Sequence, residues 1–191
     1  MVKRYVLTGA PGAGKTSILR SLQQRGWAVV EEAATDVIAN EQAHGLDEPW
    51  RSDDFVDKIV TLQRHRQQQP TPAGVQVQFY DRSPFCSLAL AQYLQHRTTA
   101  TLSKEIARVM REQVYERLVF FVRPIGFVVP TVARRISYDD SVDFESVHDA
   151  VYREHGFEIV DVVAAAVDER AAAIESHVIQ QTVTRADERR G

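Results

Sequence analysis

Between Gly9 and Thr16 the chain reads Gly-Ala-Pro-Gly-Ala-Gly-Lys-Thr. A glycine, four residues, then Gly-Lys-Thr is the spacing of a loop that cradles phosphate. Glycines let backbone amides turn inward and approach phosphate oxygens with no Cβ in the way. Gly9, Ala10, Pro11, Gly12, Ala13 and Gly14 would form the cradle. Lys15, Thr16 and Ser17 would open the next helix and present its free N–H groups and positive dipole end to the anion. Lys15 would reach the β- and γ-phosphates of a nucleotide, and the Thr16 hydroxyl would ligate Mg2+. Context separates this from a chance glycine-rich turn, because an apolar strand precedes it and a helical pattern follows.

Three acids stand where two other strands should end: Glu31 and Glu32, and Asp81. In an open parallel sheet ligands bind beyond the carboxyl ends of the strands. Asp81 is suited to holding Mg2+ or to taking a proton from an attacking hydroxyl. Arg82 would orient an anionic or hydroxyl-bearing acceptor. Helix capping accounts for Ser83 and Pro84, but not for the acid before them. Glu31 and Glu32 are adjacent and point to opposite sides, so one of them faces the site. Alternation from Val30 favours Glu32; the competing role is a charge complementing a helix N-terminus.

Phosphoryl chemistry also needs water excluded and the moving charge neutralised. The segment from about 123 to 142 lacks a clear period and carries Arg123, Arg134 and Arg135. It reads as a lid, with Arg134 and Arg135 at its middle and Arg123 at its root. The plainer alternative is a solvated loop whose arginines pair with Asp139, Asp140 and Asp143. None of the six histidines sits at metal-ligand spacing, and His148 and His155 read as surface residues. Cys86 reads as inert core on an apolar helix face. Trp50 reads as ordinary packing rather than as the wall of an acceptor pocket.

Strands and helices must alternate to position these groups. Apolar runs at 5–8, 27–30, 75–80, 118–122 and 157–163 read as five strands. Helical periods fill 15–25, 35–44, 52–69, 83–95, 101–117, 142–155 and 167 to about 186. Short apolar strands separated by helices imply a parallel sheet covered on both faces, a three-layer αβα sandwich with expected strand order 2-3-1-4-5.

Composition sets the outer bounds. The 191 residues are 44% hydrophobic and 26% charged, near globular averages, and suit one domain. With 9 Gly and 7 Pro the chain is neither collagen-like nor low-complexity. No apolar run is long enough to span a bilayer or serve as a signal core, and a single cysteine allows no disulfide within the chain. A cytoplasmic setting is expected. The net charge of −3 argues against a nucleic-acid partner held by bulk electrostatics.

Together, VLTGAPGAGKTSIL, GWAVVEEAATDVI, YDRSPFCSLALAQYL, the paired arginines and HGFEIVDV resemble the AAA-domain group of small bacterial ATPases and kinases. That group is related to the ribosylnicotinamide-kinase domain and to nucleoside and nucleotide kinases. The resemblance runs from about Val2 to Val163. It implies that Gly9 to Thr16 bind nucleotide phosphates and Mg2+, that Asp81-Arg82 is the acid–arginine pair at the metal or acceptor, and that Arg134 and Arg135 are the lid pair. After strand four the chain reads Val-Arg-Pro-Ile-Gly-Phe where similar proteins often carry a Pro-Pro-Trp-like stretch. The expected activity is Mg-ATP-dependent phosphoryl transfer to a small hydroxyl-bearing metabolite, such as a nucleoside or ribosyl compound. The alternatives are a stand-alone ATPase acting on a partner and a nucleotide-dependent regulatory module. No guanine-reading Asn-Lys-x-Asp motif follows strand four, which disfavours a GTPase switch.

Overall fold

A computed structural model describes residues 2–124 and 138–188. Five strands, β1 (Lys3–Thr8), β2 (Ala28–Val30), β3 (Val77–Asp81), β4 (Leu118–Val122) and β5 (Glu158–Val162), form one parallel sheet in the order β2-β3-β1-β4-β5. The expected order is the observed one. It puts β1 at the centre, with Leu7 in register with Asp81 on one side and with Phe120 on the other. The carboxyl ends of β1 and β3 are therefore neighbours, and the phosphate loop leaves one as Asp81 ends the other.

Alternation along the central strands divides the core in two. Tyr5, Leu7, Phe79, Phe120 and Val122 face α1 (Lys15–Gln24) and α7 (Val167–Glu188), packing on Ile18, Leu19, Leu22, Ile174 and Val178. Val6, Tyr80 and Val119 face the opposite layer, formed by α3 (Phe55–Gln68), α4 (Pro84–Tyr93), α5 (Ala100–Arg111) and α6 (Tyr138–Glu154). Period-two alternation in the strands thus meets period-3.6 stripes in the helices. A smaller cluster joins α2 (Ala33–Ala43) to α3 through Val37, Phe55 and Ile59, with Trp50 packed against it. Among the described residues no helix is long and apolar enough to cross a membrane.

The boundaries differ from the sequence reading where turns intervene. Residues 52–54 do not join α3, because Pro49 starts a separate 3-10 turn over Pro49–Arg51 and Asp54 becomes the cap position. Helix α5 stops at Arg111 rather than near 117, since Gln113 adopts a left-handed φ of 49° that breaks the helical path. Helix α6 starts earlier than expected, at Tyr138, and α7 runs to Glu188.

Candidate active site

The cradle depends on glycine at its first position. Gly9 has φ 127°, and a Cβ there would lie 2.4 Å from the backbone oxygen of Val122. Only a hydrogen fits between the loop and the end of β4. Gly12 and Gly14 also have positive φ, 84° and 94°. Gly14 is the N-cap of α1, where no side chain bonds the first turn. The first N–H groups of α1 have no intrahelical acceptor and are available to an anion.

Lys15 folds back over its own loop. Its Nζ donates to the carbonyl oxygens of Gly9 at 3.0 Å and Ala10 at 2.9 Å. Burial, with the charge of Arg82 adding to it, pulls its pKa from the ordinary 10.5 down to about 7. Thr16 Oγ1 donates to Asp81 Oδ2 at 3.2 Å, joining the first residues of α1 to the end of β3. The other oxygen, Asp81 Oδ1, is buried with no partner. Burial pushes the Asp81 carboxyl upward, against the pull of Lys15. An orphaned carboxylate oxygen next to a hydroxyl is a hard-oxygen donor set suited to Mg2+, which is commonly held by one or two carboxylates together with substrate phosphate. Among the described residues no cluster of three or more His, Cys, Asp or Glu could hold a metal without such help.

Arg82 and Glu32 form the rim. Arg82 Nε donates to Glu32 Oε1 at 2.5 Å, and Nη1 reaches the Gly9 carbonyl at 3.4 Å. Arg82 has the left-handed φ of 72°, an uncommon conformation for a non-glycine residue, held by its N–H donating to Leu7 O at 3.1 Å. Burial would raise the Glu32 pKa, but the charges of Arg82 and Lys15 and the hydroxyl of Thr35 win and hold it at about 2. Glu31 is exposed, and its backbone oxygen accepts from Arg66 Nη1 at 2.7 Å. Glu32 is therefore the strand-two acid beside the loop. Arg82 is engaged with Glu32 and the loop, so the two act as one unit.

The lid expectation falls mostly elsewhere: Arg134 and Arg135 lie outside the described residues. Arg123 is described. Its Nε donates to Asp161 at 2.8 Å, its Nη atoms reach Glu145 and Asp149, and the guanidinium stacks 4.1 Å over the Phe121 ring. It ties β4 to β5 and α6 through partners other than the acids named from sequence.

Two residues correct or extend that reading. His148 is fully buried rather than at the surface. It shares the inward stripe of α6 with Phe144, Val151 and Tyr152, and that spacing was the available signal. His148 Nδ1 bonds the Phe144 carbonyl at 3.0 Å, so this nitrogen carries the proton, and Nε2 has no partner. Burial, with the charge of Arg82 adding to it, lowers its pKa to about 3 and keeps the ring neutral. Arg170, in the first turn of α7, was not anticipated. It is 2% exposed and lies directly behind the loop. Cys86 is buried as expected, in contact with Thr8 Oγ1 at 3.2 Å and Tyr152 OH at 3.3 Å; Tyr152 OH also lies 2.6 Å from Ser83 Oγ.

A family model described as an AAA domain matches residues 4–170. No curated protein matches the chain significantly in sequence. Similar solved structures include NadR protein in complex with NR, 16% identical with a TM-score of 0.69, covering 92% of this chain and 51% of that one. The chain thus spans about half of that protein's length. Shikimate kinase from Acinetobacter baumannii with shikimate is 14% identical, with a TM-score of 0.62 and 95% of each chain covered. Deoxyadenosine kinase from M. mycoides is 14% identical, with a TM-score of 0.63, covering 93% of this chain and 98% of that one. At these identities the likeness is one of fold.

Proposed function

Because this chain belongs to the AAA domain family, we propose that it is a Mg-ATP-dependent kinase for a small hydroxyl-bearing metabolite of the nucleoside or ribosyl class. The observation that carries the proposal is the partnerless Asp81 Oδ1 beside the Thr16 hydroxyl, at the mouth of a cradle with no room for a Cβ. Gly9 to Gly14 and the first turn of α1 would surround the phosphates, and Thr16 and Asp81 would hold the cation that offsets their charge. Lys15, released from the Gly9 and Ala10 carbonyls, would reach the β- and γ-phosphates.

In the transfer the acceptor oxygen forms a bond to the γ-phosphorus. The bond from that phosphorus to the β–γ bridging oxygen breaks, and ADP keeps the bridging oxygen. Glu32, kept ionised by Arg82, orients the acceptor hydroxyl, and the proton passes to Asp81 or Glu32 as transfer completes. Arg82 presents positive charge to the moving group from the same rim. A small hydroxyl-bearing acceptor accords with the fold neighbours solved with NR and with shikimate, and the nucleoside class with the deoxyadenosine kinase among them.

The test is ADP formation from Mg-ATP with and without a panel of nucleosides and ribosyl metabolites, with products weighed by mass spectrometry. A product about 80 Da heavier than one panel member, the mass of an added phosphoryl group, is the expected result. ADP released at one rate whatever the panel contains would overturn the kinase reading and leave an ATPase.

A further inference from the structure

Arg170 is only 2% exposed, and its guanidinium has no carboxylate among its described partners. Such a charge is costly to bury unless its donors are well used. Its donors go to three backbone carbonyls from three parts of the chain. Nη1 donates to Ala13 O at 2.9 Å, and Nη2 donates to Arg123 O at 2.7 Å and to Val162 O at 3.4 Å. Nε has no partner. The residue therefore joins the phosphate loop, the end of β5 and the residue just beyond β4. A Cβ on Gly14 would lie 3.3 Å from Nη1, so the guanidinium sits flush against the loop.

The consequence lies in the peptide unit that it grips. Among the described residues no peptide is cis, so the Ala13–Gly14 unit is trans, and its N–H points away from its C=O. With the Ala13 carbonyl drawn backward onto Arg170, the Gly14 N–H is directed to the opposite side of the loop. Among the described residues that N–H has no backbone acceptor. Resting on the nucleotide reading above, we propose that Arg170 is a positioning residue for nucleotide phosphate. It orients the Gly14 amide into the cradle and sets an uncompensated positive charge behind it. The same guanidinium holds the Arg123 carbonyl, so the loop and the residue just beyond β4 share one anchor.

The test measures binding of Mg-AMP-PNP, and of Mg-ADP, by calorimetry on the whole chain. Arg170→Met keeps the length and apolar stem but removes charge and donors. It should weaken both nucleotides by about ten- to a hundredfold, the span for losing hydrogen bonds from a charged donor. Arg170→Lys restores charge without the fork and should recover only part of the affinity. In a steady-state assay KM for ATP should rise more than KM for the acceptor. Ile174→Ala, one turn further along α7 and buried against the sheet, is the stability control. It loosens α7 while leaving every donor of Arg170 in place and should leave nucleotide affinity within about twofold. Equal affinity losses in Arg170→Met and Ile174→Ala would reduce Arg170 to a packing residue and overturn the proposal. Unchanged affinity in Arg170→Met, with a wild type that binds, would overturn this inference alone. A wild type that binds neither nucleotide would overturn the nucleotide reading along with it.

Discussion

If Lys15 is half neutral at pH 7 in the empty loop, nucleotide binding must be accompanied by proton uptake. Burial, reinforced by the charge of Arg82, brings its pKa to about 7 from 10.5. Polyphosphate within a few ångströms favours the ammonium and restores the higher value. The uptake on binding is then the fraction that was neutral beforehand: about 0.1 proton at pH 6, about 0.5 at pH 7 and about 0.9 at pH 8. Calorimetry of Mg-AMP-PNP binding in Hepes and in Tris reads this number, because the apparent enthalpy changes with the buffer's own ionisation heat. Lys15→Arg stays charged throughout and should show no such uptake. The sign in the unliganded chain is fixed too. The charged lysine costs about 5 kcal/mol at pH below 7. That cost is relieved as pH rises from 7 toward 10.5, where the unfolded chain still holds the proton that the folded chain has released. Uptake under about 0.2 proton at pH 8, in a wild type that binds, would show that Lys15 is already charged in the empty loop and would refute the reasoning.

Three further outcomes follow from the geometry. Gly9→Ala sets a Cβ 2.4 Å from Val122 O, and should cost about 3 kcal/mol and abolish nucleotide binding. Gly74→Ala, where nothing lies within 4 Å, should cost only about 1 kcal/mol for its positive φ, and equal melting temperatures for the two variants would sink the steric argument. Arg82→Ala strands a buried carboxylate whose pKa of about 2 depends on the guanidinium; it should cost about 3–5 kcal/mol, with much of this regained in Arg82→Met/Glu32→Gln, as read from urea midpoints. His148, with its pKa lowered to about 3, protonates more readily in the unfolded chain, so stability falls as pH drops from 6.5 toward 3. The loss attributable to it at pH 4.5 is about 2–3 kcal/mol, and a His148→Phe chain with the same acid profile as wild type would contradict that assignment.

The sheet order and the loop were legible because their signals are local: an apolar strand, a glycine pattern, a helix, and an acid where a strand must end. Glu32 could be favoured over Glu31 by alternation alone, since strand geometry sends neighbours to opposite sides. Its ion pair with Arg82 spans 50 positions and depends on a left-handed backbone at Arg82 that no residue pattern announces. His148 was misread because an isolated histidine was weighed by its polarity, although Phe144, Val151 and Tyr152 mark its face of α6 as inward. Arg170 was invisible for a different reason. Its partners are carbonyl oxygens of residues 8 to 157 positions away, and backbone acceptors leave no trace in side-chain identity.

The loop is made early by the ribosome, but its walls come late. Val122 O closes one side of Gly9, and Arg170 braces Ala13 from a helix that follows the last strand. Parallel pairing of β1 with β3 and β4 likewise waits for distant sequence. A nascent chain halted before α7 therefore carries the complete glycine motif without the brace that shapes it. Arrested-translation complexes of increasing length should gain nucleotide-dependent protease protection in one step, once α7 has emerged, rather than gradually from the time the motif clears the ribosome.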